Sequence, residues 1–231
     1  MTVVLALRCD DGLVLAADTQ ITESNRGMSY PAEKVHLMGD HAAWGGSGAR
    51  SVLTDVEARF DEDAGAILEA TDIGRAMQQR VKPVLEYHYE TFIEDVPGEE
   101  VPGTPSTYLL AAGYAEDRPW IIEINPHCML GRYEDIGFHA IGSGAPMAQQ
   151  TGALLAHFRM TTRPVRYGVV AALRVLEALS YTSPSVGGPF DIVSITPEGT
   201  HQLDDDEIDE VRKHTARWTE LEQAALDELF G

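Results

Sequence analysis

The chain has 231 residues, of which 44% are hydrophobic and 23% are charged. This composition is ordinary for a globular protein, and the length is sufficient to bury a full layered core. Acidic residues number 37 and basic residues 17, so the formal net charge is −20. Because phosphate binding needs clustered lysine and arginine, this balance argues against nucleic acid and anionic membranes as partners.

The cysteines, the histidines and the first residues of the chain further restrict the class of protein. Cys9 and Cys128 lie in unrelated segments, and the first residues lack the charged and apolar regions that mark export. We therefore expect reduced thiols in a cytoplasmic protein. No stretch approaches the ~20 apolar residues of a membrane span. The eight histidines form no HExxH or similar ligand pattern, so we expect neither a metal nor an organic cofactor.

The first half of the chain predicts two hairpins followed by two helices. The runs TVVLAL and LVLAAD are rich in β-branched and other apolar residues, and the sequence between them ends in Asp10-Asp11-Gly12, a strong turn signal. Further on, apolar residues recur at helical spacing. The predicted elements are strands at 2–7 and 13–18, a second hairpin around Gly39-Asp40, helices at 49–60 and about 72–91, and an exposed loop at 93–106.

The second half repeats this order of strands and helices. The predicted elements are strands at 107–115, 119–125, 129–135 and 138–144, helices at about 146–159 and 164–180, a strand at 190–197, and a terminal helix from about 204 to 230. Helices that alternate in groups with antiparallel strands indicate an α+β fold. Strands that are apolar on both faces indicate coverage on both sides. We therefore predict one domain over 1–231, a four-layer αββα sandwich with two antiparallel sheets between helix layers.

The second residue carries a possible nucleophile. Removal of Met1 would leave Thr2 with a free amine and a hydroxyl on the same residue. An α-amine titrates near ~7.7–8, so much of it is neutral at neutral pH and can act as general base for the hydroxyl. A strand that begins at Thr2 would hold both groups rigidly. We expect Met1 to be removed, since a small second residue generally permits it.

Two charged residues at the edges of apolar runs fit this chemistry. Asp18 ends the second predicted strand, and Lys34 precedes the third. A buried lysine would lower the pKa of a neighbouring amine by like-charge repulsion, and an aspartate would keep that lysine charged. The segment GGSGA at 45–49 lies at a strand-to-helix junction, where backbone N–H groups and the helix dipole can stabilise an oxyanion.

Taken together, TVVLAL, DGLVLAADTQIT, EKV, GGSGA and AIGSGAPMA resemble the β-type proteasome subunits and the bacterial HslV-type proteases. These are N-terminal nucleophile (Ntn) hydrolases with an αββα sandwich, and the resemblance spans most of residues 2–200. The stretch SVGGPFD resembles the Anbu-type bacterial relatives of the proteasome. The resemblance leaves the subfamily open among these three groups.

The resemblance implies a role for each matching residue. Thr2 would be the nucleophile, with Asp18 and Lys34 beside it, each sixteen residues after the last. Gly48 would supply the oxyanion amide, and Ser143 the serine that supports the nucleophile's amine. The residues implied in substrate binding are Thr22, through its main chain, and a specificity pocket for an apolar side chain formed by Ile21, Ala32, Val35 and Gly46.

One part of the family pattern is missing. The family usually carries D-x-x-S-G near the end of its fifth helix, whereas this chain has SYTSPSVGGPFD, with no aspartate before the serines. Ser183 is the candidate for the catalytic serine of that pattern, and Ser185 is the alternative.

The predicted function is a threonine-type endopeptidase that attacks peptide bonds through an acyl-enzyme. It would act on peptides or unfolded proteins as a homo-oligomeric ring or open spiral, with an ATP-dependent unfoldase as a possible partner. The apolar side of the terminal helix, including Trp218 and Leu229, is either a contact surface for that assembly or packs on its own domain. Two other functions remain open: a non-catalytic assembly subunit that retains Met1, and an Ntn amidase or peptide ligase.

Overall fold

A computed structural model of the chain describes residues 2–23, 28–94, 96–97, 104–183 and 186–231. Part of the loop predicted at 93–106, and Ser185, lie outside these residues. Within them, the structure has two five-stranded sheets and one two-stranded ribbon. The strands are β1 (Val4–Arg8), β2 (Leu13–Asp18), β3 (Gln20–Glu23), β4 (Met28–Pro31), β5 (Val35–Leu37), β6 (Ala42–Gly48), β7 (Thr107–Ala115), β8 (Arg118–Ile124), β9 (Leu130–Arg132), β10 (Phe138–Ile141), β11 (Phe190–Thr196) and β12 (Gly199–Gln202).

In the described part of the chain, five α-helices flank the sheets. They are α1 (Arg50–Leu68), α2 (Ile73–Thr91), α3 (Ala145–Leu155), α4 (Val165–Thr182) and α5 (Asp205–Phe230). Helix α5 begins with a capping box, in which Asp204 accepts from the Glu207 backbone and the Glu207 carboxylate accepts from the Asp204 backbone. This reciprocal pair satisfies two backbone donors that the first turn of a helix otherwise leaves free. The described part of the chain has no helix long and apolar enough to cross a membrane.

The two large sheets stack face to face. One has the strand order β10-β1-β2-β11-β12 and the other β5-β6-β7-β8-β9, and every described pairing is antiparallel. Fully buried side chains from both sheets, such as Val4, Leu15 and Leu110, form one apolar cluster between them. This inter-sheet layer explains why the strands read as continuous apolar runs, since both faces of each central strand are covered.

A helix layer covers the outer face of each sheet. Val56, Phe60 and Met77 from α1 and α2 pack with Trp44 of β6 against one sheet. Helices α3 and α4 pack against the other, where Leu173 and Leu176 of α4 are fully buried, and α5 packs against α4. The architecture is the predicted αββα sandwich.

Several predicted boundaries were wrong. The first helix runs to Leu68 rather than residue 60, because Ile67 is buried although the exposed residues before it interrupt the apolar pattern. The helix predicted at 146–159 ends at Leu155 and continues as short 3₁₀ turns. The ribbon of β3 and β4 and the last strand β12 were not predicted, because these four-residue strands are too short for a periodic signal.

Candidate active site

Thr2 lies at the entrance of β1, where a loop from the far half of the chain holds it. Its backbone nitrogen donates to Ser143 Oγ at 3.1 Å, and its carbonyl accepts from the Gly144 nitrogen at 3.1 Å. Gly142 has φ +94°, and a Cβ there would lie 2.2 Å from the Thr2 carbonyl oxygen. The loop can therefore approach Thr2 this closely only with glycine at position 142.

Lys34 directs its ammonium group at the Thr2 hydroxyl. Its Nζ lies 3.2 Å from Thr2 Oγ1, 2.9 Å from Asp18 Oδ2 and 2.7 Å from the Gln20 carbonyl oxygen. The three acceptors match the three donors of an ammonium group. The position of the charge is thus defined from three sides, with the threonine hydroxyl as one of them.

Asp18 is the buried partner of this charge. Its side chain is fully buried, and its second oxygen accepts from the Val3 nitrogen at 2.8 Å. Burial raises the pKa of Asp18, and the nearby Lys34 ammonium acts in the opposite direction. Burial likewise lowers the pKa of Lys34, opposed by Asp18. The local register explains the meeting, because the tight turn between β1 and β2 sets Val4 opposite Ala17 and so Asp18 beside Val3.

Gly48 ends β6 close to Thr2, immediately before α1. Its φ is +140°, and a Cβ there would lie 2.2 Å from the Ser106 carbonyl oxygen. Helix α1 begins at Arg50, and its N-cap residue Ala49 makes no side-chain capping bond. The positive end of the α1 dipole therefore faces this junction without a side-chain acceptor at its cap.

A cavity of about 460 Å³ opens beside Thr2 and Lys34. Of the four predicted pocket residues, Ile21, Ala32 and Gly46 line it. Val35 does not, and its assignment to the pocket is corrected: it is fully buried in the inter-sheet cluster. Side chains alternate along a strand, so the next residue, His36, lines the cavity instead.

Helix α1 supplies a wall of this cavity that the sequence analysis missed. Arg50, Leu53, Thr54 and Glu57 all line it, at spacings that place them on one side of the helix. Glu57 pairs with His36 Nδ1 at 3.2 Å. A search for apolar periodicity alone overlooks such a polar stripe. The walls are therefore mixed in polarity, with charged groups of α1 beside the small residues predicted to receive an apolar side chain.

A second cavity, of about 620 Å³, borders Gly142 and Ser143, the loop residues that contact Thr2. Ser47, Gly48 and Ser143 line both cavities. Deeper in the second cavity, Glu123 lies within hydrogen-bond distance of His139, which is stacked on Tyr133. An extended chain could thus pass Thr2 with one part in each cavity.

Thr22 and Ser183 are the remaining predicted residues. Thr22 lies in β3, where its backbone pairs with Ser29; its side chain is outside the described part. Ser183 follows α4 and is buried, but it lines neither cavity beside Thr2. Asp191, which no sequence signal singled out, accepts from the Lys34 backbone nitrogen at 2.8 Å.

Comparison with known proteins assigns the family. Residues 2–195 match the family described as "Proteasome subunit". The chain belongs to the proteasome family. Among relatives of this family, it is 26% identical to proteasome subunit beta 1 of Streptomyces avermitilis, over 92% of this chain and 75% of that protein. It is 25% identical to proteasome subunit beta 1 of Thermococcus onnurineus, over 92% of this chain and 97% of that protein.

Solved structures share the fold of this proteasome-family chain. Anbu from Yersinia bercovieri, described as an ancestral beta-subunit, aligns with a TM-score of 0.76 and 14% identity, over 99% of this chain and 98% of that one. A Gly-1 mutant of Anbu from Hyphomicrobium sp. strain MC1 aligns with a TM-score of 0.74 and 16% identity over 100% of both chains. The predicted resemblance to a proteasome β/Anbu-like Ntn hydrolase is confirmed.

Proposed function

We propose that this chain is a threonine-type peptidase in which Thr2, once Met1 is removed, attacks a peptide carbonyl and forms an acyl-enzyme. The observation that carries the proposal is the contact of Lys34 Nζ with Thr2 Oγ1 at 3.2 Å, with Asp18 at 2.9 Å on its other side. Burial of a lysine and an aspartate together at a strand end is costly, since both lose hydration there, and this cost favours a functional role for the pair.

In the first step, the Thr2 α-amine takes the hydroxyl proton, directly or through one water, as Oγ1 bonds to the substrate carbonyl carbon. The Lys34 ammonium orients the hydroxyl. Its charge also lowers the pKa of the nearby amine, which keeps the amine neutral and able to accept the proton. Ser143 supports this step, because its Oγ lies 3.1 Å from the Thr2 nitrogen.

The tetrahedral intermediate would place its oxyanion at the Gly48 N–H, near the start of α1. One such donor is worth roughly 3–4 kcal/mol of transition-state stabilisation in comparable sites. Collapse of the intermediate breaks the C–N bond, and the protonated amine of Thr2 gives its proton to the leaving amine. Water then attacks the ester with the same amine as base, which releases the acid and restores Thr2.

The substrate we propose is a peptide or an unfolded protein segment. The two cavities that meet at Ser47, Gly48 and Ser143 support this, since each has the volume of a few side chains. The cavity lined by Ile21, Ala32 and Gly46 would receive the side chain before the cleaved bond. Leu53 limits its depth, because its Cδ2 lies 2.2 Å from where a Cβ on Gly46 would be.

We further propose a cytoplasmic homo-oligomer, in a ring or an open spiral, with an ATP-dependent unfoldase as a possible partner. Membership of a family of subunits supports assembly. The end of α5 supports it too, because Leu229 and Phe230 are exposed by 73% and 84%. Trp218, by contrast, packs against Phe158, Tyr167 and Arg174 of its own chain.

The test is an intact mass before and after incubation with a peptide epoxyketone, a warhead that needs both the hydroxyl and the free amine of an N-terminal threonine. We expect loss of Met1 and one adduct per chain, together with hydrolysis of fluorogenic peptides. Thr2→Ala should abolish the adduct. Thr2→Ser is the matched control, because it retains a hydroxyl and an amine and should still react.

Two results would contradict this proposal. A mass that retains Met1 and gains nothing would favour a non-catalytic assembly subunit. An adduct accompanied by transfer of the acyl group to added amines, rather than to water, would favour an amidase or peptide ligase.

A further inference from the structure

We propose that Asp191 is a positioning residue, which holds the backbone of Lys34 so that its ammonium group meets the Thr2 hydroxyl. The inference rests on the proposed function and names a residue to which no role in the reaction was assigned. The direct observation is the hydrogen bond from the Lys34 nitrogen to Asp191 Oδ2 at 2.8 Å.

Asp191 and the strand that follows Lys34 lie in different sheets. Asp191 lies in β11 and pairs with Ala17 of β2, whereas Lys34 immediately precedes β5 at the edge of the other sheet. The hydrogen bond therefore joins the two sheets at the point where Lys34 enters the site. Asp18, which pairs with the ammonium group, follows Ala17 in β2, and Ala17 pairs with Asp191. Two neighbouring positions of one sheet therefore hold the backbone and the side-chain end of Lys34.

The electrostatic surroundings agree with this geometry. Burial raises the pKa of Asp191, and backbone hydrogen bonds from Lys34 and Val35 act in the opposite direction. The other charged or titratable groups that act on this carboxyl are Glu33 and His36. A partly buried carboxylate with two backbone donors is well suited to fixing a chain direction, because both bonds favour its charged form.

Lys34 can move little without losing one of its contacts. Its Nζ makes contacts of 2.7 to 3.2 Å with acceptors from three separate residues. Strand β5 has only three residues and pairs with β6 on one side. A short edge strand is weakly held by its own ladder, so a shift of its first residue would move the ammonium away from Thr2 Oγ1.

The experiment compares Asp191→Ala with Asp191→Asn and with Ser194→Ala, a control on the same strand whose hydroxyl donates to the His201 carbonyl oxygen. Asp191→Ala should lower the rate of epoxyketone adduct formation and kcat by roughly 10- to 100-fold, the usual effect of a misplaced catalytic group, with KM within about twofold. Asn retains an acceptor oxygen, so Asp191→Asn should recover most of the rate. Ser194→Ala should match the wild type.

Hydrogen exchange supplies a readout that does not depend on activity. In Asp191→Ala, the amides of Lys34 and Val35 should exchange at least about tenfold faster, whereas those of β2 should not change. Unchanged exchange and an unchanged adduct rate would overturn the inference. If Asp191→Ala does not fold, the exchange of the Lys34 amide in Asp191→Asn decides. The neutral oxygen of asparagine accepts a weaker hydrogen bond than a carboxylate, so this amide should exchange faster than in the wild type, and unchanged exchange would overturn the inference. If both variants fold, equal loss of rate without faster exchange would also overturn it. A wild-type chain that forms no adduct would refute the proposed function, while exchange would still test the hold on Lys34.

Discussion

At the scale of single residues, the buried pair of Lys34 and Asp18 determines both the electrostatics of the site and part of its stability. Asp18 is fully buried and Lys34 is 7% exposed. Removing one member of such a pair leaves an uncompensated charge in the interior, which typically costs about 3–5 kcal/mol. A single substitution in this pair should therefore lower the stability of the whole fold.

We predict that Lys34→Met lowers the free energy of unfolding by about 3 kcal/mol at neutral pH. The pKa of Asp18 is already raised above 3.8 by burial, and without the ammonium it rises further. When the pKa of a carboxyl is higher in the folded state than in the unfolded state, the fold loses stability as pH rises between the two pKa values. The deficit of the variant should thus be smaller at pH near ~5 than near ~8. Urea unfolding at both pH values measures it.

The control is the double variant Lys34→Met/Asp18→Asn, which removes the buried charge and should recover part of the loss. A deficit that is the same at both pH values, or no recovery in the double variant, would show that Asp18 is not the source of the instability.

At the scale of elements, one glycine at the end of β6 is strained, whereas another near the end of α1 is relaxed. Gly48 has φ +140° and no room for a Cβ, since the Ser106 carbonyl oxygen would lie 2.2 Å away. Gly65, in the exposed part of α1, has nothing within 4 Å of a Cβ. The same substitution should therefore have opposite effects at these two sites.

We predict that Gly48→Ala destabilises the fold by about 1–3 kcal/mol, the usual cost of a backbone conformation that L residues avoid. Gly65→Ala should stabilise it by about 0.5–1 kcal/mol, because alanine loses less conformational freedom in a helix. Denaturant unfolding of both variants beside the wild type measures the two changes. Effects of the same sign would contradict the assigned backbone geometry.

At the scale of the whole molecule, a net charge of −20 opposes association of copies. The exposed apolar residues at the end of α5, Leu229 and Phe230, favour association. Salt screens the repulsion between copies, with a Debye length of about 10 Å at 0.1 M, but leaves apolar contacts intact. The balance between the two effects should depend on ionic strength.

We predict that the proposed homo-oligomer grows in population as ionic strength rises from about 0.05 M to about 0.5 M. Light scattering after size-exclusion chromatography measures it, and Leu229→Glu should shift the equilibrium toward smaller species. Ala66→Glu adds the same single negative charge at an exposed position of α1 and is the control for charge alone. Oligomers that dissociate with added salt would indicate a contact dominated by ion pairs instead.

Sequence reasoning succeeded where interactions are local or periodic. The apolar strands, the tight turn before Leu13 and the helical spacing predicted the order of elements and the layered fold, because alternation and turn chemistry depend on neighbours in the chain. Thr2, Asp18 and Lys34 were named from the sequence, and the structure brings them together. Their catalytic roles stay predictions.

The remaining features were decided by tertiary structure. Gly144 holds the Thr2 carbonyl from more than a hundred residues away, and Asp191 reaches Lys34 from the other sheet. The register of β5 turns Val35 into the core and His36 into the cavity, whose wall α1 completes. A sequence pattern records which residues can be buried, but the pairs that meet across layers depend on how sheets and helices stack. For that physical reason, the proposed nucleophile and its charged partners could be named from the chain alone, whereas the walls of the cavity and the hold on Lys34 required the folded structure.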